Sequence, residues 1–75
     1  SLVITHLDRL GIISNITRIL ADHKVNIVTV LHSRENKGKA ATTMIETDNP
    51  ISPEVKALLS HLDYITNVVT MDKFI

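Results

Sequence analysis

Two stretches of this chain repeat apolar side chains at the spacing of a helix, and each is bracketed by runs rich in β-branched residues. Ile12, Ile13, Ile16, Ile19 and Leu20 make one stripe of period 3.6 between Ile12 and His23, with Ser14, Asn15, Arg18 and Asp22 on the other side. Val55, Leu58, Leu59 and Leu62 make the second. Leu2 to Thr5, Val25 to Arg34, Lys39 to Asp48 and Ile65 to Phe74 read as strands. The same strand–helix–strand unit is therefore written twice.

The punctuation agrees with that order. "ENKGK" at 35–39 is a turn, with Gly38 suited to a positive φ, so 25–48 reads as a β-hairpin. In "DNPISPE" Ser52 is a good N-cap, and Pro53 falls at the first helical position, where its missing N–H costs nothing. Two such units joined by a hairpin, each with a right-handed crossover, give an α+β, ferredoxin-like βαββαβ sandwich. The expected sheet is antiparallel and four-stranded, with both helices on one face.

At 75 residues the chain is a single domain, 1–75, with a thin core. It has no cysteine, so neither a disulfide nor a thiolate metal site supports it. Lys plus Arg and Asp plus Glu balance at 8 each, which argues against a dedicated nucleic-acid binder. No apolar run has the length of a membrane span, and there is no charged-then-apolar signal segment, so a cytoplasmic protein is expected. The sequence opens inside a strand without an initiator Met, and an origin as a domain excised from a longer protein is expected.

The strands are apolar on both sides. Val25, Ile27, Thr29 and Leu31 alternate with Asn26, Val28, Val30 and His32, and both sets are largely apolar. A sheet with one wet face alternates apolar with polar. Scattered exposed apolar side chains are one explanation. The preferred one is that part of the second face, or an edge, is covered by another copy or another domain.

"THLDRLGII" at 5–13 joins the first strand to the first helix. The leading N–H groups of a helix lack internal partners and carry partial positive charge, which suits a carboxylate or phosphate. Gly11 permits close approach to the backbone. Asp8 can accept from an ammonium group, and His6 can donate or accept. Together they suit a zwitterion, its acid end on the helix terminus and its amine on Asp8. Each residue also has a plainer reading. Asp8 caps the helix or tightens the turn, Arg9 is a solvated cation, Gly11 serves only its backbone, and His6 is half-buried on a carbonyl. The spacing does not decide between them.

"His6-Leu7-Asp8-Arg9-Leu10-Gly11", followed by a helix and "Val25-Asn26-Ile27", resembles the ACT domain, a ferredoxin-like family that binds amino acids and regulates metabolic enzymes. The resemblance covers nearly all of the chain. It implies ligand contacts from His6, Asp8, the backbone of Leu10, Gly11 and Ile12, and Asn26. It also implies a homodimer through ACT–ACT contacts, with ligand between the loop of one copy and the Asn-bearing strand of the other. Asn26 has its own plainer reading as a cap or turn residue after the helix. The family's usual proline is Leu10 here, so the loop regains an N–H and some freedom.

"Ser33-Arg34-Glu35-Asn36-Lys37-Gly38-Lys39-Ala40" and "Ile45-Glu46-Thr47-Asp48" resemble the C-terminal ACT domain of the bacterial iron–sulfur L-serine dehydratases, in particular the β chain. Phosphoglycerate dehydrogenases carry a similar C-terminal ACT domain. The narrower likeness implies L-serine as ligand and a catalytic part elsewhere in the parent enzyme, which turns L-serine into pyruvate and ammonia on a 4Fe–4S cluster. No catalytic residue, metal or cofactor is expected in this chain, because cluster ligation needs cysteine thiolates.

Other classes fit less well. An acylphosphatase-type enzyme would use Arg9 on phosphate, but Asp8 beside it repels phosphate, and no Asn lies in 39–48. An RNA-binding module needs aromatics on central strands, and the only aromatics are Tyr64 and Phe74. His6, His23, His32 and His61 lack metal-ligand spacing and read as scattered surface histidines. A purely structural dimerisation role stays open.

Overall fold

The computed structural model describes residues 1–34 and 39–71. The elements follow the expected order: β1 (Leu2–Leu7), α1 (Ile12–Asp22), β2 (Ile27–Arg34), β3 (Ala40–Thr47), α2 (Pro53–Ser60) and β4 (Ile65–Thr70). They form one four-stranded sheet in the order β2-β3-β1-β4, antiparallel at every pairing. This is the ferredoxin-like fold. Of the turn expected at 35–39 only Lys39 is described, and 72–74, expected to end the last strand, lie outside the described residues.

The register explains the core. One face carries the rows Val30–Ile45–Leu2–Thr70, His32–Thr43–Ile4–Val68 and Arg34–Ala41–His6–Ile65, read across β2, β3, β1 and β4. Leu2, Ile4, Ile45 and Val68 pack there with Ile12, Ile16 and Leu20 of α1 and with Val55 and Leu59 of α2, all buried. Ile13 and Ile19 are only partly buried against this cluster, so the first stripe is narrower than its spacing suggests. Ser52 caps α2 as expected: its side chain accepts from the Val55 N–H at 3.2 Å, and Pro53 follows at the first helical position. The predicted stripe of α2 is trimmed too, because Leu58 is exposed and the helix ends before Leu62.

The opposite face carries a single apolar row, Leu31–Met44–Val3–Val69, beside a polar one, Ser33–Thr42–Thr5–Asn67. Its apolar content is thus a band across the sheet. The larger exposure lies at the edge, where every residue of β2 after Ile27 is exposed. Val28 and Leu31 stand 52% and 54% open to solvent.

Candidate functional site

β1 continues to Leu7, two residues past its expected end, which changes what surrounds the β1–α1 loop. Leu7 N–H donates to the Tyr64 carbonyl at 2.8 Å, and Asp8 N–H donates to the Lys39 carbonyl at 2.6 Å. The loop therefore begins from a fixed point at the corner of the sheet. Arg9 lies over the Tyr64 ring with its guanidinium carbon 5.1 Å from the centroid, which ties the loop to the segment entering β4. Leu10 projects fully into solvent at the tip.

Gly11 is the residue before α1 and adopts φ 83°, the left-handed region that costs other residues strain. A Cβ built there meets nothing within 4 Å, so the backbone conformation alone requires glycine and the space over it is open. Gly11 at the cap position offers no side chain to the first N–H groups of α1. Ile12 N–H reaches only back to the Arg9 carbonyl at 3.3 Å, and its side chain is buried in the core. The helix N-terminus keeps the electropositive character that an anion favours.

Asp8 is held by a side chain that the sequence reading did not select. Arg34 Nη1 donates to Asp8 Oδ2 at 2.9 Å, with 13% of the Asp8 side chain and 54% of the Arg34 side chain exposed. The row Arg34–Ala41–His6 brings this residue, the last of β2, across from the strand that feeds the loop. The available signal was period two: His32 and Arg34 share a face of the strand with Val28 and Val30.

His6 is fully buried, which corrects its reading as a surface histidine and as a half-buried one. Its Nδ1 lies 2.9 Å from the Leu7 carbonyl and its Nε2 2.8 Å from Thr43 Oγ1. A carbonyl only accepts, so Nδ1 carries the proton and, in the neutral ring, Nε2 accepts from the Thr43 hydroxyl. Thr43 Oγ1 in turn accepts from His32 Nδ1 at 3.0 Å. The two imidazoles stack at 5.7 Å between centroids. Three strands are joined by this chain of bonds, and both nitrogens of His6 are used inside the fold.

Asn26 lies elsewhere. Its amide donates to Asp48 Oδ2 at 2.6 Å and its backbone N–H to Asn49 Oδ1 at 2.8 Å, which supports the turn reading within one chain. It precedes β2, whereas Arg34 ends it, and an eight-residue strand is roughly 25 Å long. His6, Asp8, Leu10, Gly11 and Ile12 thus gather at one corner of the sheet, and Asn26 stands at the far end of its edge. A cavity of about 340 Å³ lined by Thr47, Asp48, Asn49 and Ile51 lies at that far end, away from the loop.

The chain has no cysteine, and among the described residues no three His, Asp or Glu side chains come together as ligands. No described helix is long and apolar enough to cross a membrane.

Comparison with known proteins agrees with this architecture. The family model of the ACT domain matches residues 1–62. The chain is also similar to the D-3-phosphoglycerate dehydrogenase of Bacillus subtilis (strain 168), 32% identical over 69 residues, which covers 92% of this chain and 13% of that relative. The chain thus spans about an eighth of the relative's length.

Proposed function

The chain belongs to the ACT domain family, and from that premise we propose that it is the regulatory module of a larger enzyme, binding a small α-amino acid, L-serine first among them, between two copies. The observation that carries this reading is the layout of the β2 edge. One end of the strand abuts Asp8 and the loop entering α1, the other follows Asn26, and among the described residues the exposed strand between them pairs with β3 on one side and with nothing on the other. Antiparallel addition of a second copy's β2 along this edge sets the start of one strand beside the end of the other. Asn26 of each copy then approaches the Asp8 corner of its mate. Two residues that a single chain keeps apart become neighbours, and two equivalent sites form across one two-fold interface.

In this arrangement the ligand's ammonium goes to Asp8, its carboxylate to the donors at the α1 terminus, and Asn26 of the second copy supplies a polar wall. His6 acts from beneath. Ligand that touches both copies favours the paired state, and occupancy is felt by whatever the pair is joined to. The parent enzyme is an L-serine dehydratase on the likeness of 33–40 and 45–48, with any iron–sulfur cluster held outside this chain. The similarity to a phosphoglycerate dehydrogenase favours a second reading, in which that enzyme is the parent. Pyruvate formation from L-serine by the full-length protein separates the two.

Calorimetric titration of the full-length protein with L-serine and a panel of amino acids, paired with sedimentation, tests the site. Saturable heat with L-serine and a tighter pair are expected, with Asp8→Ala and Asn26→Ala each weakening binding by about tenfold or more, as loss of a charge-assisted or buried polar contact does. Silence with every amino acid, from a protein that still pairs, overturns ligand binding and leaves a dimerisation role.

A further inference from the structure

We propose that Arg34 is a ligand residue of this site: its ion pair with Asp8 opens to admit a zwitterion, whose ammonium takes the guanidinium's place on Asp8 and whose carboxylate is then held by Arg34. This rests on the amino-acid reading above and deepens it, because it makes both charges of the ligand obligatory.

The geometry supplies each part. Arg34 Nη1 and Asp8 Oδ2 are 2.9 Å apart, yet the residues belong to different elements, the end of β2 and the loop entering α1. The two partners are unequal. Asp8 is mostly covered and its backbone is pinned to Lys39, whereas more than half of the Arg34 side chain is open to solvent. The acid is the fixed element and the guanidinium, on its long stem, the movable one. The guanidinium returns to water as it leaves, and the ligand's ammonium replaces it on the covered carboxylate, so Asp8 is not left without a cation.

The exchange is balanced in charge. One cation replaces another on the carboxylate of Asp8, and one carboxylate replaces another on Arg34. The planar guanidinium can then grip the ligand carboxylate with two parallel hydrogen bonds, which a lysine could not match. The α1 terminus and the open space over Gly11 lie beside the same corner, so the ligand carboxylate meets backbone donors there as well. Because Arg34 ends the edge strand, its change of partner is felt where a second copy would pair.

A latch that merely fastened the loop would be indifferent to which charge a ligand carries, and this decides the experiment. The full-length protein, wild type and Arg34→Gln, is titrated with L-serine, L-serinamide (no carboxylate) and N-acetyl-L-serine (no ammonium). Wild type is expected to bind both analogues at least about tenfold more weakly than L-serine. Arg34→Gln is expected to lose about as much affinity for L-serine, and to prefer L-serine over L-serinamide by clearly less than wild type does, the α1 donors keeping a remainder. Arg34→Lys should recover part of the loss, and thermal unfolding checks that each variant is folded. Unchanged L-serine affinity in Arg34→Gln, or discrimination against L-serinamide as strong as in wild type, overturns the role of Arg34 while leaving amino-acid binding intact. Absence of binding by wild type to any amino acid overturns the underlying reading and this one with it.

Discussion

β1 and β2 are both rich in Leu, Ile and Val, and the fold treats them in opposite ways. β1 lies between β3 and β4, and Leu2, Ile4 and His6 are fully buried beneath the helices. β2 lies outermost, and seven of its eight residues, all those after Ile27, are exposed. The difference comes from position in the sheet. A central strand has neighbours on both sides and a helix layer above, whereas an edge strand has one neighbour and whatever the helices reach. Leu2 and Ile4 of β1 are accounted for by this chain's own core. The apolar side chains of β2 after Ile27 are exposed, and in the proposed pairing they would supply its surface.

Substitutions can break this contrast at graded strength. The largest effect is expected from Ile4→Ala in β1. Removing a fully buried Ile costs about 2–5 kcal/mol, a large share of the roughly 4–11 kcal/mol that a chain this long commands. Chemical denaturation should show the midpoint falling steeply, and a loss under about 1 kcal/mol would mean that the core is looser than its burial implies.

Thr43→Val comes next, because it severs the bonds that join the two strands through β3. Two imidazole nitrogens lose their partner, at about 1–3 kcal/mol where the group stays buried. Both histidine rings should report it by NMR, His6 more than the exposed His32. Equal stability to wild type would show that the bonds contribute nothing net.

Gly11→Ala should cost about 1 kcal/mol through its positive φ. No steric term is expected, since no atom lies within 4 Å of the new Cβ. A Gly11→D-Ala protein made by chemical ligation should be free of the penalty.

Leu31→Lys in β2 should have the smallest effect on folding, within about 0.5 kcal/mol, as for surface sites in general. It should nonetheless shift sedimentation toward single copies, because a charge on an exposed edge opposes pairing. Pairing that survives Leu31→Lys and also Val28→Lys would move the interface away from β2.

Element order was legible because it depends on local periodicity, and Ile12, Ile16 and Leu20, or Ser52 before Pro53, announce themselves within a few residues. The end of β1 was harder. "HLD" looks like a loop by composition, but His6 and Leu7 stay in the sheet because β3 and the segment before β4 offer them partners distant in sequence. Arg34 was missed for the same reason: that it reaches Asp8 depends on strand register, which no short window contains. The separation of Asn26 from Asp8 is the clearest case. In the proposed pairing its connection to the loop forms only between copies, which one folded chain does not display.

The placement of β2 at the rim also gives the protein two clocks for hydrogen exchange. In an antiparallel rim strand every second amide points away from its neighbour, so alternate N–H groups along Ile27–Arg34 should trade protons with water within moments. Those of β1, bonded on both flanks, wait for the whole fold to open. Residue-resolved deuterium uptake should show this alternation in dilute protein, and docking of a second rim should erase it.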